Sequence, residues 1–443
     1  MNSPRIVTPG SHIELSRSDA DRTLSDAVVQ DLRTLIETRS WALPEWFDAA
    51  ESGGFRAPAH AVAGLLELAA ETPAHRENLI RLTGEYGQQL TASEPALSTL
   101  RRPSRFDPRP WIHGSQLERF QWLTNARTMD PESAVREIER TWARESGGTR
   151  AALLSVLETA PVPADEDLLE CALDDTRKDV RERAVQILRR LPTSAYAERM
   201  AHRARRWFHV EDKPLRTRLV VRLPGSLDRS ARRDGFEDVH FKNKAIRGWW
   251  LRTVVTAAPL SVWEEMVGSA REALDIPIES RWHAAMSESW RAATTTQQNA
   301  RWAEAFLSRD GRRVDRRIAA LVPAPTLTDY ICSGKADSYL LGVTGSALLD
   351  GLSHPWPTPV ARRVVATLEH VAARQARSGT VLGADSRQSH HTVMRSAATH
   401  VPLESSRLFE EAATRAADAE WRAAFVDAAA VVNRRRRMLA ELR

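Results

Sequence analysis

The sequence predicts an all-α fold, an irregular α-solenoid of stacked helix pairs. Three observations carry that prediction. Apolar residues recur at helical spacing: in segment 174–191, Val180, Ala184, Ile187, Leu188 and Leu191 form one stripe among Arg and Glu, and Pro192 follows as a stop signal. The amphipathic segments are short and joined by short connections, as in arrays where helix pairs stack on their neighbours. Strand signals are scarce: segment 218–223 is the one convincing β-branched alternation, and 215–223 reads equally as a buried helix turn, while the βαβ rhythm of doubly wound and barrel folds does not occur.

Taken in order, residues 1–22 alternate Ser, Arg and Asp and are expected to be disordered. An N-terminal helical region, 23–100, holds apolar patterns over 24–38, 44–50, 58–71 and 75–86. Segment 101–113 carries three prolines and reads as a linker packed by Phe106 and Trp111. In the central region, 101–322, helix 132–144 places Val135, Ile138 and Trp142 on one side. Helix 150–158 contributes Leu153, Leu154 and Leu157. Segment 165–174 opens with acids that suit a helix N-terminus. Further helices are expected over 245–257, 261–274, 278–293 and 296–308. The C-terminal region, 323–443, begins in a Pro-, Gly- and Ser-rich stretch, 322–359, which is either a functional loop or a short helical pair. Helices over 359–376, 389–398 and 405–442 follow, the last broken once.

Composition sets the outer bounds. The chain has 443 residues, 42% hydrophobic and 27% charged, a soluble-globular balance. Its uncharged apolar runs fall short of the roughly 18 residues a membrane span needs, so no membrane partner is expected. Residues 1–21 lack the apolar core of a secretory signal. Cys171 and Cys332 lie far apart, which argues against a disulfide framework and for the cytoplasm. Lys and Arg number 63 against 58 Asp and Glu, and only five are Lys. The first 100 residues carry net −6 and the remainder net +11, an asymmetry that can mark a polyanion-facing surface or a set of solvated arginine-rich helix faces.

Asp174-Asp175 followed by Val180, Arg181, Ala184 and Leu188 resembles the second half of a HEAT repeat. The resemblance implies a structural ladder: Asp175 at the inter-helix turn and Arg181 six residues later would bond in a fork geometry. A broader likeness rests on RFDPRPWIHGS, LLECALDDTRKDVRERAVQILRRLPTSAYAERM, RGWWLRTVVTAAPLSVWEEM and SHPWP. These stretches resemble an uncharacterised bacterial family of helical-repeat proteins. That resemblance implies relatives encoded beside MoxR-type AAA ATPases, von Willebrand A-domain proteins and SWIM zinc-finger proteins. It supplies no catalytic residue.

Motifs for chemistry are few. Gly342–Ser346 lacks the lysine of a phosphate loop, and neither G-x-G-x-x-G nor G-x-S-x-G occurs. No cofactor and no metal are expected: His390, His391 and His400 form the one histidine cluster, and adjacent helical residues point about 100° apart. The acids of 165–179 suit helix starts better than a general acid–base pair. Trp249, Trp250, Trp263, Trp282, Trp290 and Trp302 suit wedges between helices, or alternatively an aromatic groove.

The sharpest charge feature is 199–233, with eleven basic residues against Glu211, Asp212 and Asp228. Arg199, Arg203 and Arg206 are spaced to share a helix face, and Arg216, Arg218 and Arg222 complete a candidate basic surface. Further arginine clusters lie at 312–317 and 434–437. The function expected from these features is a non-enzymatic scaffold or adaptor that binds a protein partner, with an AAA ATPase as the partner the resemblance suggests. The alternatives are a nucleic-acid-binding helical-repeat protein and, by fold analogy alone, a HEAT-like DNA-base glycosylase.

Overall fold

The computed structural model describes residues 22–94, 97, 100, 108–213, 216–237, 244–378 and 384–442. The expected disorder of 1–22 falls, except for Arg22, outside the described residues, as does Phe106 of the expected linker. Among the described residues are 25 α-helices and one two-stranded sheet, so the fold is all-α. No helix there is long and apolar enough to cross a membrane.

The chain divides into two compact units, 107–353 and the pair of segments 1–106 and 354–443. These limits differ from the boundaries read near 100 and 322, because packing joins the two ends of the chain. Within unit 107–353, helices pack repeatedly on their next-but-one neighbours. Gln116–Met129 lies against Gly147–Thr159, which lies against Lys178–Leu188. Further along, Ala195–Trp207 lies against Lys244–Ala257 in the same way, and that helix lies against Ser280–Thr296, the third helix after it. Polar side chains begin many of these helices: Ser115, Asp130, Ser146, Ser194 and Asn299 each accept from a free backbone N–H of the first turn.

Within this unit tryptophans fill much of the space between helices, with Trp282 half-buried. Phe208, Trp263, Trp290 and Trp302 form a chain of ring contacts with centroids 4.9, 5.7 and 5.7 Å apart. All four are buried, as is Trp250, which favours the wedge reading, whereas Trp249 is exposed at 36%. The strand expected over 218–223 is half of a hairpin, β1 (Phe208–Lys213) and β2 (Arg216–Val221), with Phe208 opposite Val221. Phe208, Leu219 and Val221 point inward, and Leu219 N donates to the Pro277 carbonyl at 2.9 Å. The helix expected over 261–274 is two helices, Leu260–Val267 and Ala270–Asp275. Gly268 between them takes φ +110°, a conformation a side chain would strain. The stretch 322–359 resolves into a helical pair, Ala324–Cys332 and Val343–Asp350.

Among the described residues, the other unit gathers five helices between Asp26 and Ser93 and four between Thr358 and Ala440. Its N-terminal core, with Leu32, Trp46, Leu65 and Leu66, also includes Leu439 and Leu442 from the chain's far end. The pattern over 405–442 breaks into Ser406–Arg415 and Ala419–Ala440, where Asp418 caps the second helix.

Candidate functional site

Ser194 starts the central helix by accepting from Ala197 N at 3.2 Å, and Tyr196, Met200, Ala204 and Trp207 seat it in the core. That orientation places Arg199, Arg203 and Arg206 along one cleft of about 410 Å³, as their spacing predicts. Segment 224–231, from the hairpin's exit to a short helix, forms the facing wall with Ser226, Leu227 and Ser230.

Most of the local charge is answered from within. Asp234 is fully buried and meets Arg199 Nη2 at 2.7 Å and Arg203 Nη1 at 2.6 Å. Glu170 lies 2.9 Å from Arg199 and 2.8 Å from Arg233, and Asp174 takes the Arg233 Nε at 2.9 Å. Hydrogen bonds from Arg233 hold the Asp174 carboxyl below the usual carboxylate range. Three guanidinium groups therefore face three carboxylates. Arg205 pairs with Glu265 at 2.6 Å and Arg218 with Glu211 at 2.7 Å. Arg206 and Arg222 are exposed and have no ion pair among the described residues, while the Arg216 side chain lies outside them. Of the expected basic surface, Arg199, Arg203 and Arg206 share the cleft, and the charges of Arg206 and Arg222 are not answered by an ion pair among the described residues.

The ladder between Asp175 and Arg181 takes another form. Arg181 Nη1 donates to the backbone carbonyls of Asp175 and Thr176 at 2.7 and 3.0 Å. The Asp175 carboxylate instead accepts from Arg177 N and pairs with Arg150 of the preceding long helix, Nε to Oδ2 2.8 Å. The turn and its neighbours are still tied together, through a different arginine.

The other clusters disperse. Arg313 pairs with Asp310 and Arg316 with Asp350. Arg435 is buried, and Arg436 reaches Ser406 Oγ at 3.1 Å. His390 and His391 border a small pocket beside Trp421, and burial pushes the His390 imidazole below its ordinary value. His400 stacks on Trp356. Among the described residues no group of three or more His, Cys, Asp or Glu could hold a metal ion.

The model of a family of unknown function, DUF5691, matches residues 5–442. The chain belongs to that family. No curated protein and no solved structure matches it. In this DUF5691 member the residues that sequence reasoning missed are the counter-charges. The basic window ends one position short of Asp234. Glu170 lies in the last turn of helix Glu166–Ala172 and Asp174 in the turn that follows, whereas the sequence pattern of 165–179 suits helix starts.

Proposed function

We propose that this chain is a non-enzymatic cytoplasmic scaffold or adaptor, which binds a protein partner through the surface of a HEAT-like solenoid. The observation that carries the reading is the internal neutralisation of the arginine-rich helix. A nucleic-acid strand calls for a row of unpaired cations along its phosphates. Here Arg199, Arg203 and Arg233 are committed to acids, and Arg206 and Arg222 remain as isolated positive points on packed elements, which suits acidic side chains of a folded partner. The next-but-one helix packing of unit 107–353 supports the solenoid. The partner we propose is a MoxR-type AAA ATPase, on the family resemblance.

The test is co-elution of the two purified proteins at micromolar concentration, repeated with Arg206→Ala/Arg222→Ala. Co-elution weakened by the double substitution is expected, and no co-elution counts against the ATPase as partner. Duplex DNA and single-stranded RNA are titrated in parallel. Sub-micromolar binding at physiological salt, lost in the double variant and falling with a log–log salt slope of about −0.9 per contact on the duplex, would replace the scaffold with a nucleic-acid binder.

A further inference from the structure

The cleft beside helix Ala195–Trp207 has the chemistry of a small-anion site, independently of any protein partner. Its volume, about 410 Å³, falls within the range of small-molecule sites, roughly 300–1,000 Å³. Arg199, Arg203 and Arg206 line one wall, with His202 between them and Ser226 and Ser230 across the gap.

Two of these guanidinium groups are held in place before any ligand arrives. Arg203 is fixed by Asp234 and donates from Nη2 to Ser230 Oγ at 3.0 Å, and its plane lies over the Phe236 ring, 5.4 Å from the centroid. Arg199 is fixed by Asp234 and Glu170. Arg206 at the exposed end has no ion pair among the described residues. Anchored donors lose little freedom on binding, so the cost of ordering falls mainly on Arg206.

We propose that this cleft binds a phosphomonoester. The donors left for a ligand are the Arg206 guanidinium, the serine hydroxyls of the facing wall, and those N–H groups of Arg199 and Arg203 that Asp234, Glu170 and Ser230 do not take. Donors on two walls suit a tetrahedral oxyanion better than a planar carboxylate, which a single arginine fork satisfies. Leu227, Pro224 and Trp207 also border the cleft and give the organic part of the ester an apolar flank. One acid, Asp228, shares the lining and accepts from Ala231 N at 2.7 Å. Its charge opposes every phosphate brought into the cleft, so the repulsion grows with each further phosphoryl group and a monoester is the least disfavoured.

Calorimetric titration of the full chain in phosphate-free buffer tests the assignment, with inorganic phosphate, glycerol phosphate and acetate as probes. Glycerol phosphate is expected to bind more tightly than inorganic phosphate, and acetate about tenfold or more weakly. Arg206→Gln and Ser226→Ala should each weaken glycerol phosphate by about tenfold with the melting temperature unchanged, because neither side chain supports the core. Arg317→Gln, remote in sequence and exposed, should leave it unaltered. A phosphoserine peptide distinguishes the source: tighter binding than glycerol phosphate assigns a phosphorylated protein, and equal or weaker binding a small metabolite. Acetate binding as well as phosphate, no phosphate binding, or affinities indifferent to Arg206 and Ser226 would each overturn the proposal. Failure of the ATPase to co-elute leaves these titrations unaffected.

Discussion

Asp234 decides whether the arginine-rich helix is a binding surface or a structural one. It is fully buried, yet it meets two guanidinium groups, one of them on the buried Arg203. Asp234→Ala removes the only carboxylate that contacts Arg203 among the described ion pairs and leaves a buried charge unanswered. The expected cost is about 3–5 kcal/mol. Arg206→Ala, on the same helix but exposed, should fall within about 0.5 kcal/mol of the parent. Urea denaturation followed by circular dichroism separates the two, and equal midpoints would show that these buried pairs contribute nothing. The spacing of the arginines was legible in the sequence because helical geometry maps i, i+4 and i+7 directly onto a face. Their pairing was not. The acids that answer Arg199 and Arg233 come from 29 to 63 residues away, a pairing that only tertiary packing creates.

At the scale of elements, the helices with a clean apolar stripe were the readable ones. Lys178–Leu188 shows why: Val180, Ala184, Ile187 and Leu188 are all fully buried, so one face accounts for the whole pattern. Val180→Asp places an unpaired charge in that packing and should cost several kcal/mol. Gln186→Asp on the exposed face of the same helix should change stability by about 0.5 kcal/mol or less. Thermal melts check this, and similar values for the two would mean that the stripe does not face the core. Breaks were harder to see. Gly84 and Gly268 take φ +58° and +110°, and nothing in the local pattern separates such a glycine from one within a helix. Strand β1 was hidden for a different reason. Its Glu211, Asp212 and Lys213 look like a solvated loop, and only the pairing of Phe208 with Val221 and Val210 with Leu219 reveals the alternation.

At the scale of the molecule, the two ends of the chain share one unit, and a buried arginine helps to fasten them. Arg435 is 1% exposed; its Nε and Nη2 donate to both oxygens of the Glu45 carboxylate at 2.8 and 2.7 Å, across 390 positions of sequence. Its Nη1 donates to the carbonyls of Ala398 and Val401 at 3.1 and 2.8 Å. One side chain thereby joins helix Leu43–Ser52, the end of helix Ala384–His400 and helix Ala419–Ala440, beside the leucines that complete the N-terminal core. Arg435→Met deprives Glu45 and two carbonyls of their donor, and the expected cost is about 3–5 kcal/mol. Adding Glu45→Leu removes the stranded carboxylate, so the double variant should recover part of that loss, with the carbonyls accounting for the remainder. Native-state hydrogen exchange locates the effect: amides of helix Ala59–Glu71 should lose protection in Arg435→Met although they lie more than 360 residues upstream. Loss confined to the helices after Thr358 would show that the N-terminal core holds without this pair. Loss in both segments together would establish that the two chain ends unfold as one cooperative element, with Arg435 as their junction.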